Sequence, residues 1–169
     1  MNSKIYVITH KPFSMPKDDL YVPLHVGCQG KKSLGYIGDN TGDHISEKNP
    51  RYCELTGLYW MWKNMDSNDI VGLCHYRRYF FNNGELLKRE YIEEMMKQYD
   101  IILPNSACTR YTSVYHHYQD KHKIEDLMEC GKIIKEKYPA DYAAFKWSIH
   151  TNFMSLGNMI ITRKEILDE

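Results

Sequence analysis

One apolar run in this chain ends on a cluster of polar side chains: Val71-Gly72-Leu73-Cys74-His75-Tyr76-Arg77-Arg78. A guanidinium donates in a rigid fork that matches phosphate oxygens, and a leaving diphosphate needs such neutralisation from side chains or from a metal. The same letters also describe two surface arginines flanking aromatic packing, and residue types alone leave both readings open. A second group is Gly38-Asp39-Asn40-Thr41-Gly42-Asp43. Acidic residues between glycines suit a ribose diol, a sugar hydroxyl or a divalent cation, because glycine lets the backbone come close. They equally spell an ordinary turn. Glu54, early in an expected helix, either faces a ligand or complements the helix dipole. His116, His117 and His122, with Asp120 and the tyrosines 111, 115 and 118, read as contacts to a sugar acceptor or as plain surface. Their spacing is no zinc signature. An EF-hand, GxGxxG, Walker loop, GxSxG elbow and HExxH are all missing.

Composition narrows the class. The 169 residues carry 22 basic and 22 acidic side chains, and the zero balance speaks against a general nucleic-acid binder while permitting a local basic patch. Apolar types at 43% and charged types at 26% suit one globular domain over residues 1–169. No apolar run approaches the roughly 18 residues of a membrane span. The first ten residues lack the leader and cleavage pattern of a signal peptide, so the chain reads as cytoplasmic, free or held peripherally at the inner face of the membrane. Five scattered cysteines, without a CxxC pair, read as reduced thiols packed as small hydrophobes. Fourteen tyrosines are the compositional oddity, and their apolar body with a polar tip suits carbohydrate contacts and wet core edges alike.

Alternating elements must position these groups. Lys4–Thr9 reads as a strand stopped by His10-Lys11-Pro12. Residues 13–51 read as loops and short strands. Asn49-Pro50 starts a helix over 50–64 with Asn49 as cap, since Leu55, Leu58, Tyr59, Trp62 and Met65 recur at helical spacing. Asp69–Tyr76 reads as a strand buried on both faces. A helix follows over 88–98 with Tyr91, Ile92, Met95 and Met96 inward, then a short buried strand at Asp100–Pro104. Residues 105–119 read as a polar aromatic loop. Helices over 121–137 and after Pro139 follow, then a strand at Asn158–Thr162 and the start of a helix. This order implies an α/β fold, with a mostly parallel central sheet covered by helices on both faces. Ligands in such sheets sit at the carboxyl ends of the strands, here His10-Lys11, His75-Arg77-Arg78 and Asn105.

Several segments together resemble a bacterial family, long labelled a domain of unknown function, from capsular-polysaccharide and exopolysaccharide loci and regarded as glycosyltransferases. The segments are Ile8-Thr9-His10-Lys11, Leu34–Asp43, Ile45–Pro50, Tyr52–Trp60 and, most tellingly, Val71–Phe80, with weaker traces at Tyr99–Pro104 and Asn158–Ile161. The resemblance implies a GT-A-like (Rossmann-like) domain lacking its C-terminal portion. It would move a hexose from a nucleotide sugar, a UDP-sugar first, to a polysaccharide or lipid-linked oligosaccharide in capsule, exopolysaccharide or lipopolysaccharide synthesis. Under it Thr9, His10, Lys11, Asn40, Glu54, Arg77 and Arg78 hold the donor. Asp39, Asp43 and His75 are the catalytic candidates, with Asp39 or Asp43 as base for an inverting reaction. Tyr115, His116 and Tyr118 meet the acceptor. A strict Asp-x-Asp at a strand end is missing, because Asp66-Ser67-Asn68-Asp69 precedes its strand. By analogy with sugar transferases that carry that motif, the resemblance implies that Arg77 and Arg78 would neutralise the diphosphate with little or no metal, Mn²⁺ or Mg²⁺ being the cofactors such chemistry would take, and no residues are assigned as metal ligands. A non-catalytic nucleotide- or carbohydrate-binding module is the alternative, followed by a metal-dependent phosphohydrolase.

Overall fold

A computed structural model describes residues 3–65 and 70–168. The segment 66–69, which includes the expected start of the second apolar strand, lies outside them. In chain order the strands are β1 (Ser3–Thr9), β2 (Tyr21–His25) and β3 (Ile37–Gly38), followed by helices α1 (Asn49–Tyr52) and α2 (Leu55–Asn64). Then come β4 (Ile70–His75), β5 (Phe81–Asn82), β6 (Glu85–Leu86), α3 (Arg89–Met95), β7 (Ile101–Ile102) and β8 (Ala107–Cys108). The rest comprises α4 (Val114–Lys121), α5 (Ile124–Lys137), α6 (Tyr142–His150), β9 (Phe153–Met154), β10 (Ile160–Arg163) and α7 (Lys164–Asp168). Two compact units result, one made of Met1–Pro104 with Gly157–Glu169 and the other of Asn105–Leu156.

The first unit holds a six-stranded sheet in the order β3-β2-β1-β4-β10-β7. β3, β2, β1 and β4 run parallel, and β10 is antiparallel to both β4 and β7. Successive side chains of a strand point to opposite faces, so β1 divides its apolar residues between two cores. Ile5 and Val7 join Tyr21, Ile70, Cys74, Ile161 and, from α3, Ile92. Tyr6 and Ile8 join Leu24, Val71, Leu73 and, from α2, Trp60 and Met61. The sheet is mostly parallel and carries helices on both faces. Pro23 is tolerated within β2 because β3 reaches only Leu24 and His25 of that strand, and a proline has no N–H to give a ladder.

Several expectations need correction. The helix anticipated over 50–64 is two helices, broken where Cys53 takes φ 48° and ψ −128°. Asn49 is helical rather than a cap, and its amide donates to the Cys53 carbonyl at 2.6 Å and the Thr56 hydroxyl at 3.1 Å. The face of α2 that the core buries is Thr56, Gly57, Trp60 and Met61, while Leu55 and Trp62 stay exposed. Gly57 is the reason: without a side chain it lets the helix settle on Ile8, Leu24 and Val26. In α3 Ile92 is buried and Tyr91 exposed. β7 is an edge strand with Ile101 exposed rather than buried. Asn83-Gly84, both at positive φ, form the two-residue turn of an unforeseen hairpin, β5–β6.

The second unit pairs β8 with β9 and packs α4, α5 and α6 among themselves. Residues 114–119, expected as the end of a loop, belong to the helix α4, whose start the Ser113 hydroxyl caps by accepting from the His116 N–H, and the helix expected over 121–137 begins at Ile124. Of this unit's residues only Ser113 and Gly131 are buried. Among the described residues no helix is long and apolar enough to cross a membrane. Cys28 and Cys74 are buried as expected, whereas Cys53, Cys108 and Cys130 are exposed.

Candidate functional site

The carboxyl ends of β1, β2, β3 and β4 lie side by side, with Thr9 opposite His25, His25 opposite Gly38, and Ile8 opposite His75. The polar residues that stop each strand therefore gather along one edge. Thr9 is buried; its hydroxyl donates to the Lys11 carbonyl at 2.6 Å and accepts from the Lys11 N–H at 3.2 Å, turning the chain out of the sheet. The Lys11 ammonium then stands 5.3 Å from the centre of the Tyr76 ring. His75 and Arg78 exchange backbone hydrogen bonds of 3.0 and 2.9 Å, which puts Tyr76 and Arg77 at the corner of a tight turn. The Arg77 guanidinium lies 5.0 Å from the same ring centre, and His10 meets that ring edge-on at 5.6 Å. Cations over an aromatic face are held without a carboxylate. Arg77 and Arg78 are exposed, and neither has an acidic partner among the described residues. An anion can take their free donors.

β10 brings a second part of the edge. It enters the sheet antiparallel to β4, so the residues before it reach the carboxyl end of β4. Gly157 and Asn158 both adopt positive φ there, 88° and 48°. The Gly157 carbonyl is hydrogen-bonded to His75 Nε2, so a neutral His75 carries its proton on Nε2 and presents Nδ1 as acceptor. The Asn158 amide donates to Glu54 Oε1 at 2.9 Å, across 104 positions of sequence. Glu54 follows the strained Cys53 at the start of α2, and Gly57 one turn on seats that helix end against Ile8 and Val26. Two non-glycine residues at positive φ, Cys53 and Asn158, thus flank one carboxylate, whose Oε2 has no partner among the described residues. Strain of this kind persists only where surrounding structure enforces it.

Of the other expected acidic residues, Asp39 follows β3 with both oxygens engaged and Asp43 stands on the surface. Asp39 is wholly buried, and its oxygens accept from the Ser46 and Thr56 hydroxyls, the Gly27 and Cys28 N–H groups and the Cys28 thiol. Burial alone pushes its carboxyl up, and the bonds from Ser46, Thr56, Gly27 and Cys28 more than reverse this, so it titrates below the ordinary carboxylate. Asp43 sits on the surface beside the far end of α2, receiving the Tyr59 hydroxyl at 3.1 Å and bonding the Asn64 side chain through its backbone. Asn40 is exposed and donates to Gln29 at 3.3 Å. Tyr115, His116 and Tyr118 stand on α4 in the second unit, where Tyr115 stacks on His150 and Tyr118 meets His122 at 4.8 Å. Asn105, expected among the strand-end groups, also falls in that unit. The structure thus gathers His10, Lys11, Glu54, His75, Arg77 and Arg78 along one edge and places Asp43 apart from them.

Sequence reading missed Asn158, Tyr76 as the seat of two cations, and His25. A signal for His25 was present: β1, β2 and β4 are each closed by histidine, at positions 10, 25 and 75. Among the described residues no group of three His, Cys, Asp or Glu side chains is placed to hold a metal ion. Positive charge at this edge is carried by lysine and arginine.

A family model described as "Domain of unknown function (DUF4422)" matches residues 4–169. No curated protein matches the sequence. Among solved structures, one described as the apo structure of WbbM, a bifunctional glycosyltransferase, superposes with a TM-score of 0.83 at 29% identity. The similarity covers 99% of this chain and 35% of that one, so the chain spans about a third of its relative's length.

Proposed function

We propose that this chain, which belongs to the DUF4422 family, is a glycosyl-transfer domain that moves a hexose from a nucleotide sugar to a saccharide or lipid-linked saccharide. One observation supports this most: the likeness to a glycosyltransferase extends over 99% of the chain at 29% identity. In this chain the carboxyl ends of the strands, where α/β sheets take ligands, carry arginines without acidic partners among the described residues. The donor is a nucleoside diphosphate sugar, UDP-linked in the first instance, and the product enters a capsule, exopolysaccharide or lipopolysaccharide. The reaction takes place on the cytoplasmic side, in solution or against the membrane surface.

In this reading Thr9, His10 and Lys11 turn around the nucleotide, and Asn40 borders it. Arg77 and Arg78 stabilise the negative charge that develops on the departing diphosphate. Glu54 takes the place of Asp39 and Asp43 as the carboxylate facing the sugar: Asp39 has its oxygens occupied, and the Asp43 carboxylate accepts from the Tyr59 hydroxyl. Asn158 and His75 hold the Glu54 side of the edge in shape. Tyr115, His116 and Tyr118 offer ring faces and hydrogen-bond donors suited to an acceptor sugar.

A thermal-shift and calorimetric screen against UDP, GDP, CDP and their sugars tests the reading. A true donor at 100 times its Kd raises stability by about 2.7 kcal/mol. Arg77→Ala/Arg78→Ala removes two exposed side chains and should leave folding intact while lowering kcat by about 100-fold or more. Wild-type turnover in that double variant would remove the arginines from the mechanism. Tight nucleotide binding without turnover would instead support a binding module, and metal-dependent donor hydrolysis without an acceptor would support a phosphohydrolase.

A further inference from the structure

His25 closes β2 in the middle of the ligand-facing edge, between Thr9 of β1 and Gly38 of β3. It is 4% exposed, yet its imidazole makes no hydrogen bond among the described residues. Its backbone is engaged, the carbonyl accepting from the Asp39 N–H at 3.0 Å. A buried imidazole without partners is costly unless something else supplies them. The fully enclosed side-chain polar atom without a partner is the Tyr79 hydroxyl, so the ring nitrogens of His25 retain contact with solvent.

The charged groups that face His25 are Lys31 from the segment after β2, His10 after β1 and Asp39 after β3. Burial, then Lys31, and last His10 hold its imidazole below the ordinary histidine range, against the pull of Asp39. The Asp39 charge is already shared among hydroxyl, amide and thiol donors. Beside the His25 imidazole the remaining neighbours, Lys31 and His10, bring nitrogen and no free anion to hold a proton on it.

We propose that His25 is a further contact to the diphosphate of the donor, and that it takes up a proton as the nucleotide sugar binds. This rests on the glycosyl-transfer reading above. The free imidazole is neutral; an anion arriving between Lys31, His10 and His25 favours the imidazolium, which gains a second N–H donor. One proton passes from solvent to the ring, and no covalent bond changes. Donor affinity consequently falls as pH rises.

The phosphates of a nucleotide sugar carry no proton that titrates near neutrality, so proton exchange on binding reports the protein. Calorimetry of the whole chain with UDP-glucose and GDP-mannose, in buffers of small and large ionisation enthalpy at pH 7.5, should show net proton uptake. In His25→Gln the uptake should vanish and binding weaken about tenfold or more. In the unaltered chain the Kd of the same donor should weaken steadily from pH 6 to pH 8.5, and that profile decides the matter even where the buried variant fails to fold. Nucleotide binding without uptake, uptake unchanged in His25→Gln, or a Kd that does not change over that pH range each overturns the role of His25 and leaves the glycosyl-transfer reading standing. Failure of every nucleotide sugar to bind overturns both.

Discussion

Asp39 shows how a residue that looks catalytic in sequence acquires another task once its neighbours are known. Its acceptors hold the end of β2, the Ser46 turn and the start of α2 to one point. Asp39→Asn turns one acceptor into a donor that faces donors, and should cost about 3 kcal/mol of stability in urea unfolding, the worth of one or two charge-assisted hydrogen bonds. Acid should unfold the protein in two steps of the same sign. His25 titrates below its ordinary 6.5 when folded, so just below pH 6.5 the unfolded chain binds more protons and stability declines as pH falls. Asp39 titrates below its ordinary 3.8, so its contribution is present above that pH and is lost as pH drops through the folded value. Urea midpoints between pH 7.5 and 3 measure both steps, and His25→Gln should remove the upper one alone.

Among the elements, α1 and α2 repay comparison with their sequence. The spacing of Leu55, Leu58, Tyr59 and Trp62 is helical, and the helix exists, but another face is buried. Periodicity identifies a helix more readily than it identifies the stripe that meets a sheet, because a glycine at closest approach outweighs larger apolar residues on the flank. Gly57→Ala tests this. Alanine gains about 1 kcal/mol of helix propensity, while its Cβ would stand 2.6 Å from the Ile8 side chain and 2.8 Å from that of Val26. Overpacking of this kind costs about 1–3 kcal/mol, so the variant should be less stable despite its better helix former. Lifting that end of α2 also moves Glu54, so activity should fall with stability; an unchanged midpoint and rate would show that the helix does not need this seat.

At the scale of the whole molecule the two units differ in how much they bury. The first has two apolar cores on a six-stranded sheet, and the second buries Ser113 and Gly131 alone. Local stability follows buried apolar contact, so amides of α4, α5 and α6 should exchange with deuterium well before those of β1 and β4, which should open only with global unfolding. Equal protection would mean that the second unit has support from outside itself. The sequence alone determined the alternation of strands and helices, the burial of β4 on both faces, and the basic cluster after β4, because these depend on residues near one another in the chain. It did not determine that Cys53 breaks a helix, that β10 runs backwards, or that Asn158 reaches Glu54. Nor did it show that Asp39 is enclosed and His25 left without a partner. Those outcomes depend on which backbone groups meet across the sheet and on how closely a glycine lets them approach, and only the tertiary structure decides such distances.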